Sequence, residues 1–402
     1  MRRNDTGLSA QGVPVALEPL DEDERAHVSR VLERIGREIH CAGGWIGFER
    51  YMEIVLYEPG LGYYSAGAHK LGEGGDFTTS PEISRLFGGC VARQCAQVIG
   101  ELGRGTILEI GAGSGVLAVD VLSRLAQLGC LPERYLILEV SADLRERQRR
   151  ALAEGVPALL ERVEWQDAPP GAPFEGIVLA NEVLDALPVA RFRWHSSHCE
   201  ELGVSMGRDG PAWQARPASP ALAEACAARA AQGGGWQDGY VSEYCPRLPA
   251  WTAAVTRAHR AGLALWIDYG LPRRHYYFAE RRDGTLICHW RQRASDDPFL
   301  HPGLQDISAW VDFTQLAEAG RAAGYDLAGF TPQAHFLAAL GIDREMQCLA
   351  GEDPSRLARL GHEARRLVMP GEMGERFKVM AWTRAMDLPL AGFALLDLRH
   401  TL

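Results

Sequence analysis

Residues 107–118 read Ile-Leu-Glu-Ile-Gly-Ala-Gly-Ser-Gly-Val-Leu-Ala. An apolar, strand-like run turns through Gly111, Gly113 and Gly115 into a helical pattern, with the acid Glu109 near the end of the run. Residues without a Cβ let bare backbone amides approach the polar part of a cofactor at a helix N-terminus, where the dipole and unpaired N–H groups favour it. A dinucleotide fingerprint, G-x-G-x-x-G, would need glycine where Val116 stands. Four further acids, Glu139, Asp167, Glu182 and Asp268, each follow or end an apolar run of strand type. One such acid is commonplace as a helix cap or turn residue. Five on successive strands imply one shared cleft, since ligands in doubly wound sheets sit beyond the carboxyl ends of the strands.

The elements that must position these groups alternate in the period of an α/β sheet. Strands are expected at 107–110, 135–140, 163–165, 176–180 and 263–267, helices at 115–128 and 145–154, and a last strand within 372–382. Before them, 22–40 has an amphipathic helical pattern. Residues 43–89, rich in glycine and aromatic side chains, have the texture of a loop-built cover over the site, ending in the helix start Ser80-Pro81-Glu82 and a helix to about 102. Two segments, 191–239 and 272–310, break the alternation and read as insertions that build a second lobe over the carboxyl edge. The organisation expected is a flexible 1–22, a cover segment 23–104, a Rossmann-like core of 105–190, 260–271 and 325–385, an inserted substrate lobe of 191–259 and 272–324, and a tail at 386–402.

A length of 402 residues exceeds what one core usually serves, and 47% hydrophobic residues fit a globular α/β enzyme. With 52 acidic and 42 basic residues, formal charge is −10, which argues against general nucleic-acid binding. Arg273, Arg274, Arg281, Arg282, Arg291 and Arg293 form a candidate basic patch, equally readable as a solvated face. Nine cysteines without paired metal spacing read as reduced thiols of a cytoplasmic protein. Cys288-His289 with His301 matches no common zinc spacing, so no metal is expected. No apolar leader or membrane-spanning run is expected either.

Several segments together resemble the MidA-like methyltransferases, a family related to the mitochondrial arginine methyltransferase that assists assembly of respiratory complex I. The matching runs are 56–64 (LYEPGLGYY), 75–84 (GDFTTSPEIS), the glycine loop in its form E-x-G-x-G-x-G, 180–189 (ANEVLDALPV), 268–270 (DYG), 311–314 (VDFT) and 373–378 (MGERFK). Where the family often carries Phe-Phe after the acid of its fourth-strand motif, this chain has Val183-Leu184.

The resemblance implies S-adenosylmethionine as cofactor, with S-adenosylhomocysteine as product, and methyl transfer as the reaction. The glycine loop with Ala112 would meet the methionine and ribose. Glu139 with Val140 would take the ribose hydroxyls and Asp167 with Ala168 the adenine. Asp76, Thr78, Thr79 and Pro81 would close over the cofactor, and Asn181 and Glu182 would stand near the methyl group. Glu182, Asp185 and Glu243 are the expected catalytic acids, placed to hold an arginine guanidinium bidentately. A protein acceptor is the leading expectation and a homodimer is possible. A small-molecule acceptor, or a cofactor-binding assembly factor with little turnover, are the competing readings, and NAD is a distant alternative cofactor.

Overall fold

The computed structural model describes residues 19–66, 79–196, 198–233 and 235–402. Asp76 and Thr78 therefore lie outside the described residues, as do the first eighteen.

Seven strands build the central sheet: β1 (Thr106–Ile110), β2 (Arg134–Leu138), β3 (Val163–Gln166), β4 (Phe174–Asn181), β5 (His259–Leu271), β6 (Asp326–Pro332) and β7 (Phe377–Arg384). Their order is β3-β2-β1-β4-β5-β7-β6, with a two-residue strand, Val311–Asp312, beside the end of β5. Neighbours from β3 to β5 pair in parallel, and β7 runs antiparallel to both β5 and β6. All five residues of β1 are buried, because helices cover both faces of a parallel sheet. On one face lie α4 (Arg85–Leu102), α5 (Val116–Gln127) and α6 (Ala142–Gly155). The opposite face packs Trp266, Trp382, Phe313 and Phe330. The chain order reverses between β1 and β4, so a crevice opens at the carboxyl ends of these two strands.

Two glycines make the sheet possible at its centre. Gly176 on β4 (φ +136°) and Gly262 on β5 (φ +122°) hold conformations that side chains rarely adopt. A Cβ on Gly176 would fall 2.1 Å from the Thr106 carbonyl oxygen, and one on Gly262 2.0 Å from that of Gly176.

The second lobe is a five-stranded antiparallel sheet in which Ile46–Gly47, His198–Gly207, Ala190–His195 and Tyr240–Tyr244 lie side by side and Gly210–Pro217 pairs with the long 198–207 strand. A small sheet of Arg293–Ser295, Ile287–Trp290 and Asp306–Ser308 adjoins it. Helix α1 (Glu22–Cys41), started by an Asp21–Glu24 capping box, and α2 (Phe48–Tyr57) share one core with this lobe, in which Val31, Ile35, Phe48 and Met52 meet Val189, Val204 and Ile307.

The expected cover segment 23–104 thus divides. Its first part belongs to the second lobe, whereas α4 belongs to the central core. The surrounding glycine and aromatic texture hides α2, a ten-residue helix that buries Phe48, Tyr51, Met52, Ile54, Val55 and Leu56 and keeps only Glu49, Arg50 and Glu53 as its polar stripe. The expected helix from Ser80 is two helices: α3 (Ser80–Ile83) ends at Ser84, extended at φ −163°, which caps α4. Within 372–382 a turn of helix, Met373–Arg376, precedes β7. Residues after 385 return to the core, burying Leu390 and Phe393. Of the candidate basic patch, Arg273 is bound by Asp312 and Glu318, and Arg291 by Glu24.

Replacement of Gly262 by Ala is expected to cost about 2 kcal/mol or more, from left-handed strain plus the collision with β4. Gly171→Ala, with nothing within 4 Å of the added carbon, should be neutral. Thermal melts of the two variants check the contrast.

Candidate functional site

The glycine loop does what its composition requires. Gly111, Gly113 and Gly115 have φ of +66°, +55° and +90° as the chain leaves β1 and enters α5. A Cβ on Gly111 would stand 3.1 Å from the Val183 side chain, so this turn lies against the one that follows β4. The loop is tied to its neighbours by Gln148 on α6. Its Nε2 donates to the Gly113 carbonyl (3.0 Å) and to Glu139 Oε2 (3.1 Å), while Trp165 Nε1 donates to its Oε1 (3.0 Å). Glu139 Oε1 accepts the Ser141 amide at 2.9 Å. Burial holds the Glu139 carboxyl above its ordinary value, with Ser141 and Gln148 opposing. From the other side, the Ser114 hydroxyl donates to Glu82, closing α3 onto the loop.

The turn after β4 carries the most constrained acid. Glu182 adopts φ +53°, which a side chain other than glycine seldom does. Asp268 on β5 explains why it stays there. Its Oδ2 accepts the amides of Val183 (3.2 Å), Leu184 (2.9 Å) and Asp185 (3.3 Å), and its Oδ1 accepts Tyr269 N (2.9 Å). Glu182 Oε1 accepts the Ser80 amide and Asn181 Nδ2, both at 3.1 Å. Burial, and then Asp185, push its carboxyl up to about 8. Such strain with a displaced proton equilibrium is typical of working sites.

A cavity of about 390 Å³ joins these parts, within the range of small-molecule sites. One end is formed by Gly111, Ala112, Gly113, Leu138, Glu139, Val140 and Leu144. Thr79, Pro81 and Glu82 also line it, as do Asn181, Glu182 and Val183. Its other end is walled by Glu53, Tyr57, Tyr64, Pro188, Arg247 and Trp251. Glu109 also lines it, but its Oε2 accepts the Tyr135 hydroxyl (2.8 Å) and burial raises its carboxyl to about 7.

Not every expected residue is there. Asp167 and Ala168 follow β3 as exposed residues and do not line the cavity. Gly115 serves as the cap of α5 rather than as a wall. Asp268, expected to face the cleft, lies under the turn as its clamp. Asp185 is buried behind the cavity, accepting the Tyr269 hydroxyl at 2.5 Å. Glu243, expected to reach in from the inserted lobe, does not: it is wholly buried within that lobe, bonded to Thr285 N (2.8 Å) and 3.4 Å from Arg191. The strand register sets it opposite Arg191 on the neighbouring strand, inside the lobe. The acceptor-side walls went unassigned in the sequence. Tyr57 and Tyr64 sit in the quoted 56–64 run, whereas Glu53, Arg247 and Trp251 carry no local signal, since they meet only in three dimensions, Glu53 on α2 pairing at 3.0 Å with Arg247, which precedes the Trp251 helix, α7 (Leu248–Thr256).

The residues fit the expected cofactor. Val140 is 65% exposed on the wall, an apolar surface for a flat ring. Glu139 beside it offers a carboxylate to vicinal hydroxyls, and Asn181 Oδ1 is buried without a partner among the described residues. No cluster of His, Cys, Asp or Glu able to hold a metal lies among the described residues.

Known proteins carry the same arrangement. Residues 90–331 match the family model of S-adenosyl-L-methionine-dependent methyltransferases. Over 92% of this chain and 93% of the relative, it is 29% identical to the zebrafish (Danio rerio) protein arginine methyltransferase NDUFAF7, mitochondrial. The human protein of that name is 30% identical, over 84% of this chain and 80% of the relative. A crystal structure of a COG1565 superfamily member from Burkholderia thailandensis, bound to S-adenosyl-homocysteine, is 42% identical and superposes with a TM-score of 0.91, over 96% of this chain and 100% of the other. The family match covers the glycine loop, Glu139 and the turn of Glu182, the whole-chain likeness includes the second lobe, and the site suits the cofactor: the chain belongs to the MidA-like family of S-adenosylmethionine-dependent methyltransferases.

Proposed function

We propose that this methyltransferase acts on an arginine side chain of a partner protein. The observation that carries the reading is the acceptor end of the cavity, where the Glu182 carboxyl stands with the aromatic walls of Tyr57, Tyr64 and Trp251. A planar cation suits such a place, held by charge at its edge and by ring faces at its sides. The names of the animal relatives, protein arginine methyltransferases, support the same acceptor. A cytoplasmic location belongs to the proposal, supported by nine free cysteines.

Bound S-adenosylmethionine supplies a methyl group already activated for in-line displacement by its sulfonium. This chain's residues then have three tasks. Glu139 takes the ribose hydroxyls while the glycine loop presents backbone amides. Glu182, fixed by Asp268 from below and by Ser80 and Asn181 at one oxygen, orients the guanidinium so that one nitrogen faces the methyl group. The cavity walls exclude water. A cationic acceptor also draws the proton off Glu182, since opposite charge favours the ionised form.

Three outcomes follow for measurement. In calorimetry, Glu139→Ala should weaken S-adenosylhomocysteine binding by about 10- to 100-fold, the worth of a hydrogen bond to a charged group, and Gly113→Arg should abolish it. The Glu182 carboxyl rises from an ordinary value of 4.5 to about 8 in the folded chain. Between those values the folded state keeps a proton that the unfolded state has released. Its contribution to stability is therefore full below about 4.5 and declines as pH rises towards 8. Glu182→Gln should flatten the fall of the melting temperature across that window by one proton's worth, and an unchanged slope would refute the assignment.

The function itself is tested by incubating the full chain with methyl-labelled S-adenosylmethionine and a cell extract, then hydrolysing the protein fraction. Label is expected in methylarginine and lost with Glu182→Gln. Label confined to small molecules would overturn the protein-arginine reading.

A further inference from the structure

Methylation of an N–H group leaves a proton to be placed. Glu182 is poorly suited to take it, because protonation would cancel the charge with which it holds the cation. Beside the acceptor end of the cavity lies another set of groups to which no task has yet fallen. Tyr64 lines the cavity, and its hydroxyl donates to Asp306 Oδ1 at 2.8 Å. Asp306 is 3% exposed, and its Oδ2 accepts the Ser308 hydroxyl at 2.9 Å. Behind it stands Asp185, also buried, with one oxygen on the Tyr269 hydroxyl, and the Ser308 hydroxyl favours its charged form as well, so that Ser308 stands between the two carboxyls. The amide of Ala309 donates to the Asp185 carbonyl (3.0 Å), joining the strand of Asp306 to the turn of Glu182. Tyr57, stacked on Tyr64 with centroids 5.5 Å apart, is already committed to the Ala186 carbonyl.

We propose that Tyr64, Asp306 and Asp185 form a relay that takes up the proton released by the acceptor as it is methylated. The proposal rests on the preceding section's reading of this cavity as the place where an acceptor is methylated and gives up a proton, arginine being the acceptor written here. In the step, the acceptor nitrogen forms its bond to the methyl carbon and the sulfonium C–S bond breaks, its electron pair staying on sulfur. The surplus N–H proton passes to the Tyr64 oxygen while the Tyr64 hydroxyl proton passes to Asp306 Oδ1, turning a carboxylate into a carboxyl.

Two enclosed carboxyls side by side cannot both be charged, so one proton is shared and one vacancy remains to receive another. Burial first, and then Asp306, push Asp185 up to about 7, and burial raises Asp306 too. The titratable groups that face the pair are Tyr57, Tyr64 and Tyr269, Cys288 and His289 from the small sheet, and Asp268 and Glu182 beyond Asp185. His289, opposite Asp306 in register, lowers Asp306 when charged. The relay also gives a task to Asp185 and Tyr269, which the sequence marks by their motifs and the cofactor does not use.

Infrared difference spectra of the full chain at neutral pH test the shared proton without any acceptor. Beside the band of the Glu182 carboxyl, itself raised to about 8, a second protonated-carboxyl component is expected that persists in Glu182→Gln, is lost in Asp306→Asn and in Asp185→Asn, and shifts in Tyr64→Phe, which keeps the ring and its packing. With labelled S-adenosylmethionine and a cell extract, Tyr64→Phe should slow label transfer about a hundredfold, the scale of proton-transfer catalysis, with affinity for S-adenosylhomocysteine unchanged. A carboxyl band left unchanged by Asp306→Asn and by Asp185→Asn, or transfer by Tyr64→Phe at the wild-type rate, overturns the relay. Label entering a hydroxyl instead of arginine would sink the arginine reading alone, since that acceptor releases the same proton.

Discussion

The site depends on one carboxyl group receiving backbone amides. Asp268, buried in β5, accepts the N–H groups of Val183, Leu184 and Asp185 on one oxygen and that of Tyr269 on the other. Three donors from the turn after β4 at one acidic side chain fix that turn, and with it the left-handed backbone of Glu182. Glu182 in turn receives the Ser80 amide, which anchors α3, and α3 is held to the glycine loop through Glu82 and Ser114. Remove the clamp and the acid, the flanking helix and the loop lose their common reference.

The clamp brings its own electrostatic cost. Glu182, Asp185, Asp268 and Asp306 gather in one enclosed region, and burial raises each of them. Such a group tolerates little negative charge on its own and gains from a cation. The free site is therefore one proton or one positive ligand short of balance, and both a sulfonium and a guanidinium answer that need. The suitability of this place for a cation is in this sense a property of the fold's interior and not of one side chain.

Much of this was legible along the chain because it obeys local rules. The glycine loop needs residues free of a Cβ, the strands of a parallel sheet read as apolar runs, and acids at their ends mark the carboxyl edge. What failed to show did so for physical reasons. Helix α2 is amphipathic over only ten residues, with Glu49, Arg50 and Glu53 as its polar stripe, and is set in a run whose glycine and aromatic texture reads as loop. Asp268 and Glu182 look alike in sequence, each an acid at the end of a strand, yet β5 runs on to Leu271 and turns Asp268 inward as a structural acceptor. Glu243 carries the same chemistry but sits on the inner face of a different sheet. The acceptor walls come from helices far apart in sequence, and only tertiary packing brings Tyr57, Tyr64, Arg247 and Trp251 to one cavity.

The central claim is that a single cavity holds the cofactor at Glu139 and faces its methyl-bearing sulfur towards Glu182. A crystal structure of the chain with S-adenosylhomocysteine tests it most directly. The account predicts ribose hydroxyls on the Glu139 carboxylate, the ring on Val140, and the sulfur directed to Asn181 and Glu182 with open space on to Tyr57, Tyr64 and Trp251. A sulfur pointing away from Glu182, or a Glu182 side chain turned out of the cavity, would contradict it.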